Sequence, residues 1–433
     1  MKRRKALIIL SCGLLVGLLV TPLTNKVVYR LGKSSAQWER RQKVINFESQ
    51  QATQDFVIEL VAEGFTCPWD IAWAPDGRLF VADREGIIYL VDPNDGSKSV
   101  YHRLPDVLSN DHTLHSGLFD VEFHPDFAVN RFVYVYYSIS DPRLLPNPSP
   151  GLSIETGDWG LRNRVVRFRD TGEGLIFDRQ IFISDHGERT RSSGGRLRFG
   201  PDGMLYISSP FATTWAAPQD PAHTLGKMLR VAADGAVPAD NPFAGNPDKR
   251  GEIWTLGHKD IYGFDWHPDT GELIAIEHGP TAEHVNAHGL DEINILERGT
   301  NYGFPLVWGD WQLEGTAKPL HYWPFPHPPG DLRIYQGSAF PQWRGDCFVS
   351  NMANSSLHRI RIADGRVIED EILLQWIPDP WFPFNLGLGA RPKTTVGRPR
   401  AISEGPDGFL YISTDWRRGS KGRDAIYRLR PAP

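Results

Sequence analysis

The chain has 433 residues, of which 40% are hydrophobic and 23% charged, and its formal net charge is -5. This balance belongs to a folded globular protein and excludes a collagen-like or intrinsically disordered chain. No long single-sign run is present, so the electrostatic footprint of a nucleic-acid-binding protein is missing.

At the start, Lys2-Arg3-Arg4-Lys5 precede an apolar run from Ala6 to Leu23. The run is about 18 residues, near the lower limit for a helix that crosses a bilayer. A basic flank stays in the cytoplasm and sends the rest of the chain out. An extracytoplasmic location, periplasmic or at the cell surface, is therefore expected. The residues that end the run, Thr21-Pro22-Leu23-Thr24-Asn25-Lys26, make a poor small-x-small cleavage site. An uncleaved anchor over residues 6–23 is favoured over a signal peptide. Residues 1–24 read as anchor or signal peptide, 25–55 as a polar tether, and 56–433 as one folded domain. Cys12 lies in the apolar run, and Cys67 and Cys347 are expected as buried free thiols. No Cys/His spacing suggests zinc.

From Phe56 onward one pattern recurs. Asp70-Ile-Ala-Trp-Ala-Pro75-Asp76-Gly77 is the first copy, and Asp120-Val-Glu-Phe-His-Pro125-Asp126-Phe127 the second. The turns Pro201-Asp202-Gly203, Pro268-Asp269-Thr270 and Pro406-Asp407-Gly408 mark the third, fourth and sixth copies, with a looser fifth at Pro341. Proline presets the turn, aspartate bonds the following backbone, and glycine accepts a positive φ. The flanking stretches are rich in Val, Ile, Phe and Tyr, as strands are. A further strand follows most copies, for example Gly86-Ile-Ile-Tyr-Leu-Val and Asn163-Arg-Val-Val-Arg-Phe. Units of this size with about four strands each are propeller blades. No amphipathic helix alternates with them, which argues against a parallel α/β sheet. The fold expected is an all-β, six-bladed β-propeller with an N-terminal hydrophobic helix; seven blades is the main alternative.

Propellers present their sites on loops at the channel mouth, just before each innermost strand. His112 and His115 stand there before the second copy, and His186, Arg191, Ser192 and Arg196 before the third. Lys259 and Asp260 stand before the fourth, Arg398 and Arg400 before the sixth. Several cations on one mouth suit an anionic ligand, because arginine binds carboxylates bidentately. Pairing with local Asp and Glu is the competing explanation. The segment Glu277-His278-Gly279-Pro280, with Asp291 and Glu292 further on, offers carboxylates and free carbonyls, the hard-oxygen setting that Ca²⁺ takes. His284 and His288 lie between them, where an exposed loop is the plainer reading.

These stretches resemble the soluble PQQ-dependent aldose dehydrogenases, the glucose/sorbosone dehydrogenase family. The likeness rests on Cys67-Pro68-Trp69-Asp70, Ser116-Gly117-Leu118-Phe119-Asp120, Gly194-Gly195-Arg196-Leu197 and Leu225-Gly226-Lys227-Met228-Leu229-Arg230. It continues through Glu277-His278-Gly279-Pro280, Asp291-Glu292-Ile293-Asn294 and Asn301-Tyr302-Gly303, and then Arg398 with Arg400. The resemblance implies a six-bladed propeller that oxidises an aldose at C1, with PQQ bound by Lys259, His278, Arg398 and Arg400. It also implies Ca²⁺ on Gly279, Pro280, Asp291 and Glu292. Four positions depart from the family. Its general-base histidine is Ser192 here, its Arg-Asn pair is Lys259-Asp260, and its fifth-blade lysine is Ala353. A neutral serine hydroxyl is no base at neutral pH, so His115 or His186 would have to replace it. Three functions stay open on these residues. They are a divergent sugar dehydrogenase, a non-catalytic propeller that binds a glycan or protein, and a calcium-dependent hydrolase of the lactonase kind. The electron acceptor is not encoded in any motif.

Overall fold

The computed structural model describes residues 56–109, 116–140, 161–187, 194–212, 214–280, 289–324, 326–352, 355–375, 397–415 and 422–432. The expected anchor and tether (1–55), His115, Ser192, His284, His288 and Ala353 lie outside the described residues. No helix among the described residues is long and apolar enough to cross a membrane.

After β1 (Phe56–Phe65) come five consecutive four-stranded antiparallel sheets. The first holds β2 (Pro68–Trp73), β3 (Leu79–Asp83), β4 (Ile87–Val91) and β5 (Lys98–Arg103). The second holds β6 (Leu118–Phe123), β7 (Phe132–Ser140), β8 (Leu161–Asp170) and β9 (Leu175–Ile183). The third holds β10 (Leu197–Phe199), β11 (Leu205–Ser209), β12 (Lys227–Val231) and β13 (Ile253–Leu256). The fourth holds β14 (Asp260–Trp266), β15 (Leu273–His278), β16 (Glu292–Ile295) and β17 (His321–Tyr322). The fifth holds β18 (Pro329–Ile334), β19 (Cys347–Asn351), β20 (Ser356–Ala363) and β21 (Arg366–Gln375). The sixth sheet joins β22 (Arg398–Glu404), β23 (Leu410–Asp415) and β24 (Asp424–Pro431) to β1, which pairs with β24 from Phe56↔Pro431 to Phe65↔Asp424. The two sequence-distant strands thus close the ring, and the expected six blades are present.

The Pro-Asp-Gly segments do what their residue types require. The N–H groups of Gly77, Gly203 and Gly408, all at positive φ, bond back to the carbonyls of Ala74, Gly200 and Gly405. Asp202 and Asp407 accept the N–H of Met204 and Phe409, both at 3.0 Å. The second copy, with Phe127 in place of glycine, forms the short helix α1 (Phe127–Asn130), which ends in left-handed Arg131. In the looser fifth copy Phe340 and Trp343 stack at 3.9 Å and fill the space between strands with aromatic surface.

Between blades the core is apolar, as in the cluster of Phe80, Ile88, Val121, Phe123, Val133 and Val135. Each such side chain contributes about 1.5–3 kcal/mol by leaving water. Along the channel the connection is polar and repeats from blade to blade. A carboxylate on one innermost strand accepts a backbone N–H from the next blade's innermost strand. Asp70 takes Val121, Asp120 takes Leu197, Asp265 takes Ile334, and Asp331 takes Ile402. Arg196 crosses the channel and gathers three of these carboxylates, at 3.1 Å from Asp70, 3.6 Å from Asp120 and 3.0 Å from Asp331. Its guanidinium is buried, so the charge persists only because it is surrounded by opposite charge.

Candidate active site at the channel mouth

Each innermost strand begins at one mouth of the channel, and the antiparallel second strand ends there. Two sets of residues therefore meet: the starts of β2, β6, β14 and β22, and the ends of β3, β15, β19 and β23. The floor is aromatic. Trp69 is buried and packs 5.4 Å from Phe119 and 6.4 Å from Tyr262. The Arg400 guanidinium lies over the indole, 3.2 Å from its centre.

Arg398 and Arg400 come together in a local acidic pairing, the competing explanation for these cations. Both donate to one carboxylate, Asp415 at the end of β23, at 2.5 Å and 3.1 Å. Burial draws Arg400 down from the usual arginine range, and Asp415 opposes that. Lys259 reaches the same mouth just before β14. It is almost fully buried, and its Nζ donates to the Gly279 carbonyl at 2.8 Å. Its backbone N–H donates to Glu277 Oε2 at 3.1 Å, and its carbonyl accepts from Phe211. Asp260 is buried beside it, registered opposite His278 across the β14–β15 pair.

His278 is on the inner mouth. Its ring packs against Tyr262 at 4.6 Å, and Nε2 lies 2.9 Å from the Pro329 carbonyl. A carbonyl can only accept, so Nε2 carries hydrogen and, in the neutral ring, Nδ1 holds the lone pair. His186 is placed differently. It precedes Gly187, which bridges Leu161 on the third strand of its blade and packs on Ala212 of the next. That position belongs to the outer elements and not to the innermost strands. The two remaining expected catalytic positions, His115 and Ser192, lie outside the described residues.

The four residues expected to hold Ca²⁺ do not form an open cradle. Gly279 O accepts from Lys259, and Pro280 O accepts from the N–H of Gly289 at 3.0 Å. Asp291 commits both oxygens to main chain, Oδ1 to Gly279 N at 2.9 Å and Oδ2 to His327 N at 2.6 Å. Glu292 accepts from Gly309 N at 2.5 Å and faces Glu277 across the β15–β16 pair. Burial, and then repulsion from Glu277, push Glu292 up to about 8, where it holds its proton at neutral pH. Burial also raises Asp291 to about 6, against the pull of its two backbone donors and of Lys259. Among the described residues no group of three or more His, Cys, Asp or Glu is arranged to hold a metal. Asp291 and Glu292 are thus structural acceptors for backbone donors, and the calcium expectation does not fit the donors present.

Several mouth residues carry no signal in the sequence. Asp415 and Arg84 lie at the ends of second strands, where no turn motif points to them. Trp69 sits inside a recognised motif and Tyr262 two residues after Asp260, but both have the character of core residues. A cavity of about 300 Å³ opens at the opposite end of the channel, lined in part by Glu122, Arg198, Arg333, Ser403 and Glu404. None of the expected site residues lines it.

Residues 65–428 match the profile of the family described as Glucose / Sorbosone dehydrogenase. The aldose sugar dehydrogenase YliI of Escherichia coli is 28% identical over 382 residues, covering 83% of this chain and 90% of that one. Quinoprotein glucose dehydrogenase B of Acinetobacter calcoaceticus is 28% identical over 287 residues, 61% of this chain and 55% of that one. A solved structure from Thermus thermophilus, provisionally assigned as an oxidoreductase of the glucose dehydrogenase kind, is 33% identical. It superimposes with a TM-score of 0.70, covering 86% of this chain and 99% of that one. This chain belongs to the glucose/sorbosone dehydrogenase family.

Proposed function

We propose that the chain is a PQQ-dependent sugar dehydrogenase that oxidises an aldose at C1. The observation that carries this reading is the mouth itself, where Lys259, Arg398 and Arg400 rim an aromatic floor of Trp69 and Tyr262. That set fits a flat, polyanionic cofactor: the cations answer carboxylates, and the rings and the Arg400 plane answer a planar face. The matched relatives include an aldose sugar dehydrogenase and a quinoprotein glucose dehydrogenase. PQQ, when bound, supplies an electron-poor quinone that accepts the two electrons and the hydrogen lost from the sugar carbon.

The chain's own residues do the rest. Arg398 and Arg400 bind and orient the anionic edge, with Asp415 holding both guanidiniums in place beforehand. Trp69 and Tyr262 exclude water from the floor. The hydroxyl proton of the sugar needs an acceptor, and His278 is the imidazole packed against that floor. The Pro329 carbonyl fixes its tautomer and leaves Nδ1 as the basic nitrogen. On this reading His278 takes the general-base task that the family resemblance puts at the position of Ser192.

The basic flank and apolar run at the start support an extracytoplasmic, membrane-anchored enzyme that acts on external sugar. The donor commitments at Gly279, Pro280, Asp291 and Glu292 speak against the calcium-dependent hydrolase. Incubating the full chain with PQQ and an aldose, and following reduction of an artificial electron acceptor, tests the proposal. Sugar-dependent reduction with formation of the lactone supports it. Saturable PQQ binding with no turnover on any aldose would refute it.

A further inference from the structure

The Lys259 side chain ends where the calcium expectation would put a cation. We propose that the Lys259 ammonium is the resident cation of this mouth and stands in the place of a metal ion. The inference deepens the reading of the site as a quinone pocket, and it concerns residues whose contacts do not depend on that reading.

Three observations carry it. First, the Gly279 carbonyl, the leading oxygen donor of the expected metal set, already accepts from Lys259 Nζ at 2.8 Å. Second, the lysine is built in and does not sweep the site from solvent. Its side chain is buried, its N–H is held by Glu277, and its carbonyl is held by Phe211 on the neighbouring blade. Third, the other expected ligands have hydrogen-bond partners of their own: Pro280 O takes Gly289 N, Asp291 takes the N–H groups of Gly279 and His327, and Glu292 Oε1 takes the N–H of Gly309. A Cβ at Gly279 would lie 2.2 Å from Gly289 O and 2.3 Å from Leu290 O, so the backbone is in contact on that side. A lysine ammonium brings a compact positive charge and three donors. It can steady an acceptor carbonyl and attract an anion without a metal. The cofactor would then bind in the absence of calcium.

A crystal structure of the full chain grown in millimolar CaCl₂ tests the placement directly. The result expected is Lys259 Nζ on the Gly279 carbonyl with no ion there. An ion coordinated by Gly279 O, with the lysine displaced, would overturn the inference. Neither result depends on PQQ. A second measurement reads the consequence. PQQ affinity of the wild type should be the same in EDTA and in calcium. Lys259→Met should bind about tenfold more weakly in EDTA, because it lacks one charge-assisted hydrogen bond. A wild type that binds PQQ only with calcium contradicts the inference. A chain that binds PQQ in neither condition removes the quinone reading, while the crystal structure still decides the place of the cation.

Discussion

The Arg400 guanidinium lies flat on the Trp69 indole, 3.2 Å from the ring centre, and so joins the sixth blade to the first at the floor of the mouth. Stacking leaves the guanidinium edge for hydrogen bonding, and one of its nitrogens is already oriented by Asp415. Replacing Arg400 with alanine should weaken PQQ binding by about 1.5–3 kcal/mol, the usual worth of a hydrogen bond to a charged group. Arg400→Lys should not restore it, because an ammonium neither stacks nor binds bidentately. Cofactor titrations of the three proteins check this; equal affinity for all of them would remove Arg400 from the site.

His278 should separate binding from chemistry. In His278→Asn the turnover number should fall by about 10²–10⁴, the range of a lost general base, while PQQ affinity changes little. Steady-state kinetics beside a cofactor titration distinguish the two. A variant with undiminished turnover would move the proton acceptor to His115 or another group.

How much of this was legible in the sequence follows from where each residue sits. The blade count was legible because the Pro-Asp turns join the first two strands of a blade, and the local chemistry of Pro, Asp and Gly needs no tertiary context. Arg398 and Arg400 were legible by position, at the start of an innermost strand. Asp415 was not, because strand ends carry no turn signature and its meaning emerges only when β23 is laid against β22. The calcium set failed for a different reason. Gly279, Pro280, Asp291 and Glu292 are the right residue types, but their oxygens are satisfied by N–H groups of Gly289, Gly279, His327 and Gly309 and by Lys259. Those pairings are made by loop closure. The family resemblance named the residues; only the hydrogen bonds showed that they were occupied.

The channel pin is testable as a stability element. Arg196 faces Asp70, Asp120 and Asp331, and burial together with Asp70 already raises Asp120 well above the usual carboxylate range. Arg196→Ala would leave three buried carboxylates without this shared cation. A loss of about 3–5 kcal/mol is expected, as for any buried pair broken on one side. Urea unfolding of wild type and variant measures it. A loss under about 1 kcal/mol would mean that the cluster is hydrated and adds little.

Acid should act on the fifth blade. Asp370 accepts from His358 Nδ1 at 2.6 Å and from Trp323 Nε1 at 2.9 Å. Although burial works against it, these partners lower its pKa from 3.8 to about 2. A carboxyl lowered on folding stabilises fully above its unfolded pKa and loses that stabilisation as pH falls through the folded one. The contribution is on the order of 2 kcal/mol near neutral pH, disappearing between about pH 4 and pH 2. Asp370→Asn should be less stable at neutral pH and should show a shallower decline in that window. Thermal midpoints across the pH range check both; parallel profiles for the two proteins would contradict the assignment.

Whether this mouth holds a quinone cofactor for sugar oxidation is tested most directly by titrating PQQ into the full-length chain. Quenching of tryptophan fluorescence, with Trp69 at the floor, reads the binding, and an aldose is then added. One saturable PQQ per chain, weakened by Arg400→Ala and bleached when sugar is added, is the result expected. No quenching at high PQQ, or quenching that Arg400→Ala leaves unchanged, would contradict the account.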